Sequence, residues 1–383
     1  MPHPEPAPSD APSDKSFVRL MVLYVLYNAA TLLLGSLFEL YFFTLGLNIP
    51  QIILTSAGLF LAPLLIILFL ARRFPPKNCI LASLVVLIIA SALLALFPNP
   101  ITPFVARFLA GLPIFLFWVP FNIRYYEFSR KNNALLGSVY YSVNPVLSLA
   151  LPFLAGWIAA TFGFPTVFLA SIAVLAVTLV VANAGGFMDE KSYGADPVAS
   201  FRSIDGLRTL FFIEGFSINS IVPVTLSAMI LLYYRDPLSF GGLLSAVTLF
   251  SVAASLVTAR LSDHFGERRT FLIASAFGFL LAAVAVNLAD SASLFFLAFG
   301  AINFFRSILL PLPLALAVDN SKNLTETMVG REIMLNLGRL AAVLIGFLLT
   351  LFVGIRAMLL LQTLAAAVYI PIFELKKKKL NSI

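Results

Sequence analysis

The sequence predicts an all-α integral membrane protein, with about twelve spanning helices arranged as two pseudo-symmetric six-helix bundles. Three observations carry this. Hydrophobic residues make up 60% of the 383 residues and charged residues only 11%, a balance outside that of water-soluble domains. The apolar residues fall into runs of about 20, the length that crosses a bilayer. The two halves repeat one another at a spacing of about 190–200 residues.

Taken in order, the apolar runs place spanning helices near 17–44, 49–71, 78–97, 101–123, 135–160 and 165–183. A second set falls near 207–233, 238–259, 270–289, 293–318, 331–353 and 355–374. Leu47–Pro50, Phe97–Pro100, Thr161–Pro165 and Tyr234–Pro237 are short polar or Gly/Pro-containing turns on one face. The connections on the other face are longer and basic. The longest, around Asn183 to Asp205, carries Gly185, Gly186, Asp189, Glu190 and Pro197 and divides the helices six and six. The expected organisation is a disordered tail (1–16), a first bundle (17–183), a linker (184–206), a second bundle (207–374) and a basic tail (375–383). The first tail is rich in Pro, Ser and Asp and lacks the apolar core of a signal peptide.

The net charge of +7 is distributed as a membrane protein distributes it. Lys and Arg concentrate on the face of the longer loops, with Arg235 and Arg356 on the other, which predicts that the basic face and both termini are cytoplasmic. The expected location is a plasma or inner cell membrane. Lys376–Lys379 follow the last span and can hold anionic lipid headgroups; nucleic acid is not an expected partner, and a monomer is. Cys79 is the single cysteine, so no internal disulfide forms, and two histidines offer no metal-site spacing. No soluble catalytic domain fits, no nucleotide-binding loop is present, and neither enzyme activity nor a cofactor is expected.

The hinge between the eighth and ninth runs, Ala259–Thr270, reads L-S-D-x-x-G-x-R-R. This pattern resembles the short cytoplasmic loop motif of the major facilitator superfamily, G-x-x-x-D-x-x-G-x-R-R. Asp263, Gly266, Arg268 and Arg269 match, and Ala259 replaces the leading glycine. Thr44–Gln51 resembles the family's first outer loop, and Gly156–Gly163 its passage from fifth to sixth helix. The first-half loop departs from the pattern, with Arg72 in the Asp position and Pro75 in the Gly position. The exporters' fifth-helix motif survives only as Asn144-Pro145, with Ser148 and Leu149 where glycines belong. The resemblance implies alternating access of two bundles around a central site; a proton gradient is the expected driving force.

Ionisable groups within spans are costly unless paired or hydrated, so each is a candidate site. Glu214, with Asn219 just over a turn away and Pro223 beyond, is either a proton carrier or the partner of a nearby arginine. Arg306, near the middle of the tenth helix, is expected to face the centre, as a contact for a solute anion or a carboxylate. Arg107 with Gly111 matches the family's R-x-x-x-G signature, whose arginine is associated with proton handling; a packing ion pair is the alternative. Glu39 lies close to the outer end of the first helix and reads as interfacial and hydrated. Glu332 and Arg339, seven apart, share a helix face. Because Arg72 has replaced the first loop's Asp, Glu332 is expected to latch onto it across the bundles; a simple N-terminal helix charge is the alternative. Phe115, Phe117, Trp118, Phe211 and Phe216 read as packing residues that can also line a cavity for an amphipathic ligand.

The sequence therefore predicts a secondary transporter of a small organic solute, amphipathic or drug-like. Uptake or exchange of an organic anion, and a non-transporting receptor or scaffold on the same fold, are the alternatives.

Overall fold

The computed structural model describes residues 14–129, 143–184, 192–265, 268–310, 313–314, 317–318 and 321–380. Among the described residues ten helices are long and apolar enough to cross a membrane, and two shorter apolar stretches, Ile273–Leu288 and Ile355–Tyr369, complete a set of twelve. Helices are the form that satisfies every backbone N–H and C=O within one segment in lipid. We number them α1 (Phe17–Thr44), α2 (Ile49–Leu70), α3 (Pro76–Leu96), α4 (Thr102–Glu127), α5 (Val143–Phe162), α6 (Phe164–Ala184) and α7 (Asp205–Ile230). The remainder are α8 (Pro237–Phe265), α9 (Arg268–Leu288), α10 (Ala292–Leu309), α11 (Leu324–Phe352) and α12 (Ile355–Leu380). The chain is an integral multi-pass membrane protein.

Packing repeats between the halves. In the first half α1 packs on α5 and α6, α2 on α4, α3 on α4 and α6, and α5 on α6. Adding six to each number gives packings found in the second half, α7 on α11 and α12, α8 on α10, α9 on α10 and α12, and α11 on α12. The seam between bundles obeys the same exchange, α2 against α11 and α5 against α8. Gly163 between α5 and α6 and Gly354 between α11 and α12 both take positive φ, 85° and 115°, so the two halves turn at equivalent points.

The α5–α8 seam is close because Gly156 and Gly241 face each other there; a Cβ on either would overlap a backbone carbonyl, of Pro237 and Pro152 respectively. Small residues let helices approach where lipid supplies no hydrophobic drive. Ser245 on α8 also accepts a hydrogen bond from the Phe153 N–H, 3.0 Å.

The linker crosses the opposite face and binds both halves. Tyr193 and Phe74 exchange backbone hydrogen bonds of 2.8 and 3.0 Å, and the Ala195 N–H donates to the Ala71 carbonyl at 2.7 Å. Asp196 then caps a short helix, Pro197–Ser203, through the Ala199 N–H. That helix lies on α11, with Gly330 directly under the Ser200 carbonyl. Phe74 also packs edge-on to Phe115, so Phe115 belongs to this buried linker-face cluster together with Cys79, Leu314 and Val329.

α11 begins two turns earlier than the expected 331, because Asn323 caps it by accepting the Glu326 N–H at 3.3 Å. Glu332 is consequently inside the helix, and the reading of it as an N-terminal charge is corrected. The loop motif falls where little is described: Gly266 lies outside the described residues, as do the side chains of Asp263, Arg268 and Arg269, whose backbones are helical. The side chains of Lys376–Lys379 are outside them too.

Candidate functional site in the second bundle

The site starts from a defect in α7. Regular α-helix runs from Arg208 to Phe216, breaks at Ser217, and passes through a π-helical turn over Ile221–Leu226 before resuming. Pro223 stands in that turn and brings no N–H to it, so carbonyls are left for other donors. Arg306 of α10 takes one, donating from Nε to the Ile218 carbonyl at 2.9 Å. Ser227 takes the Val222 carbonyl. Gln362 of α12 stitches the turn, accepting from Thr225 at 2.6 Å and donating to Ser220 at 3.0 Å.

Glu214 lies just before the break and is fully buried. Its Oε1 accepts from Asn219 Nδ2 at 2.8 Å and from Arg331 Nη2 at 3.5 Å. Its Oε2 meets no hydrogen-bond partner. Two glycines bring the helices together: a Cβ on Gly215 would overlap the Leu335 carbonyl, and one on Gly338 the Phe212 carbonyl. α7 and α11 therefore meet backbone to backbone, which sets Glu214 beside Arg331.

Along α11 the polar groups form a chain. Arg331 Nη1 donates to Glu332 Oε1 at 3.0 Å, Asn336 donates to Glu332 Oε2 at 3.3 Å, and Arg339 Nη1 donates to Asn336 Oδ1 at 3.2 Å. Asn336 is thus the bridge between the pair expected to share a face. The guanidinium of Arg331 also stands over the Phe211 ring at 5.7 Å, and that of Arg339 over Phe60 of α2, again at 5.7 Å. Tyr369 of α12 is buried within electrostatic reach of Glu214 and Arg331.

The structure thus gathers Glu214, Asn219, Arg306, Glu332 and Arg339 into one network. The residue that sequence reasoning passed over is Arg331, although it neighbours Glu332. The signal available was helical spacing, since Arg331, Leu335 and Gly338 fall on one face, the face that touches α7.

Two expectations are corrected. Glu39 is not a hydrated interfacial group: it is buried and ion-paired with the equally buried Arg107 of α4. The rings of Phe38 and Phe42 cover the guanidinium at 4.7 and 5.5 Å, which keeps water from a position close to the helix end. Arg72 does not reach Glu332 either. It stands in solvent after α2, 79% exposed, with Asp196 of the linker at 3.7 Å, while Glu332 is held inside α11 by Arg331.

In the first bundle Tyr27 stacks on Phe117, Tyr24 on Phe121, and Trp118 meets both tyrosines edge-on. Asn144, the remnant of the exporter motif, donates to Asn28 Oδ1 at 3.1 Å and accepts from Ser148. Phe216 stacks on Phe212 within α7.

Residues 207–381 match the family model described as Major Facilitator Superfamily. No curated protein matches the chain in sequence. Among solved structures it is similar to the POT family transporter PepTSo, at 12% identity and a TM-score of 0.76, covering 97% of this chain and 99% of that one. It is likewise similar to the nucleoside transporter NupG (13% identity, TM-score 0.67, 94% and 99% covered). The human organic anion transporter MFSD10 gives 13% identity and a TM-score of 0.66, with 94% and 100% covered. At such identities the likeness concerns the fold. The second bundle thus matches the Major Facilitator Superfamily model in sequence, and the whole chain shares the fold of these transporters.

Proposed function

We propose that the chain is a proton-coupled secondary transporter that moves a small, amphipathic organic solute by alternating access of its two bundles. The observation that carries this reading is Glu214. A carboxylate with one oxygen unpartnered, buried between arginines and set at a broken helix, is built to change its protonation. Discontinuous helices in transporters of this kind commonly mark the binding site. The seam supports the mechanical part, because two symmetry-related helix pairs, α2–α11 and α5–α8, join the halves and a rocking motion exchanges their roles. The basic linker face is assigned to the cytoplasm.

The test uses proteoliposomes loaded with a pH dye. Pools of cationic, neutral and anionic solutes are added under an imposed pH gradient, to the wild type and to Glu214→Gln. Solute-triggered proton movement lost in the variant is the expected result. Solute flux without proton movement removes Glu214 from the mechanism. Absence of flux with every pool favours the receptor or scaffold reading.

A further inference from the structure

We infer that the transported solute carries an anionic group, held between Arg306 and Arg339, and that this anion travels in the same direction as the proton on Glu214. The inference rests on the transport reading above and adds the solute's charge and the sign of coupling.

The network is unbalanced in charge. Three arginines, Arg306, Arg331 and Arg339, share the network with two glutamates, Glu214 and Glu332, leaving one positive charge in excess when both carboxylates are ionised. The excess is localised. Arg331 holds both glutamates. Among the described residues no carboxylate lies within ion-pair distance of Arg306 or Arg339. The first has a backbone carbonyl and the second the side-chain oxygen of Asn336, so each guanidinium keeps donors in hand. Arg306 is close enough to Arg339 and Glu214 for both charges to act on it. Two guanidiniums that act on one another, neither with a carboxylate in contact among the described residues, are costly inside a bundle, and a carboxylate-type ligand satisfies their forked donors in the plane.

Position supports the same ligand. Arg339 faces Phe60 of α2, so an anion bound there lies on the seam between the bundles, where alternating access exposes it to either side.

The sign of coupling follows from electrostatics. Glu214 is faced by Arg331, Arg339 and Glu332 from α11, by Arg306 from α10 and by Tyr369 from α12, with Asn219 on its own helix. A proton on Glu214 removes a negative charge from among the arginines, which strengthens their hold on an anion. By linkage, the bound anion strengthens the hold on the proton by the same factor. Proton and anion then load together, which is the requirement for symport; exchange requires that each displace the other.

Purified full-length protein in weakly buffered detergent at neutral pH is titrated with benzoate and, separately, with benzamide, and proton uptake is followed with a pH dye. Benzoate is expected to draw protons onto the wild type and benzamide is not. Arg306→Gln and Arg339→Gln should each weaken benzoate binding by about thirtyfold or more, the loss expected on removing one member of a buried charge pair. Arg306→Lys and Arg339→Lys keep the charge and control for folding. A benzoate response in the glutamine variants equal to that of the wild type, an equal absence included, overturns the inference. If Glu214→Gln abolishes proton flux in liposomes while the benzoate titration ignores both arginines, only the anion site fails; if flux survives Glu214→Gln, the proton reading fails first.

Discussion

Replacing Arg107 by Met strands the carboxylate of Glu39 in the first bundle. Glu39 is 5% exposed and Arg107 6%, and the two are ion-paired under the rings of Phe38 and Phe42. Breaking a buried pair from one side costs about 3–5 kcal/mol, whereas replacing both partners by apolar residues of similar size is close to neutral. At about 2–4 °C per kcal/mol for a unit of this size, Arg107→Met should unfold roughly 6–20 °C below the wild type. Glu39→Leu combined with Arg107→Met should recover most of that loss. The protein supplies its own reporter: Cys79, the single cysteine, is buried in the linker-face cluster, so a thiol-reactive fluorophore reads unfolding directly. If the single variant melts with the wild type, or the double variant melts no higher than the single, the buried-pair argument is wrong. Proton flux in the double variant then separates roles. Retained flux makes the pair structural, whereas lost flux in a folded double variant assigns Arg107 the proton-handling role that the R-x-x-x-G resemblance implies.

Two further outcomes are expected. Gly215→Ala and Gly338→Ala each force a methyl into a backbone carbonyl across the α7–α11 contact, a strain of about 1–3 kcal/mol; folded protein should survive, with solute-triggered proton movement reduced as Glu214 and Arg331 part. Asp236, outside the membrane spans, caps α8 by accepting the Ser239 N–H at 2.8 Å, which holds its carboxyl below the usual range. A depressed folded value means stability present at neutral pH and lost as pH falls through the acid range below about 4. The melting difference between wild type and Asp236→Ala should therefore shrink on acidification, and a constant difference would count against the cap.

Much of this molecule is local in origin and was legible in the chain. Runs of apolar residues must become helices in lipid, since backbone groups there find no water. Glu214 and Arg306 stood out because a charge in an apolar run is visible without any contact. The partner of each charge was a different matter. Glu39 and Arg107 are 68 residues apart, and Glu214 and Arg331 are 117 apart. Which charges meet depends on which helix faces touch and how closely. Gly215 and Gly338 decide that for α7 and α11, and the capping of α11 by Asn323 sets the depth of Arg331 and Glu332. Arg72 illustrates the converse, since its charge suggested a latch, yet the linker folds back and sets Asp196 beside it at 3.7 Å. Sequence by itself determined the helices, their number and the charges within them. Tertiary structure alone decided the pairing, because an ion pair depends on the distance between side chains, and that distance is set by helix packing rather than by chain order.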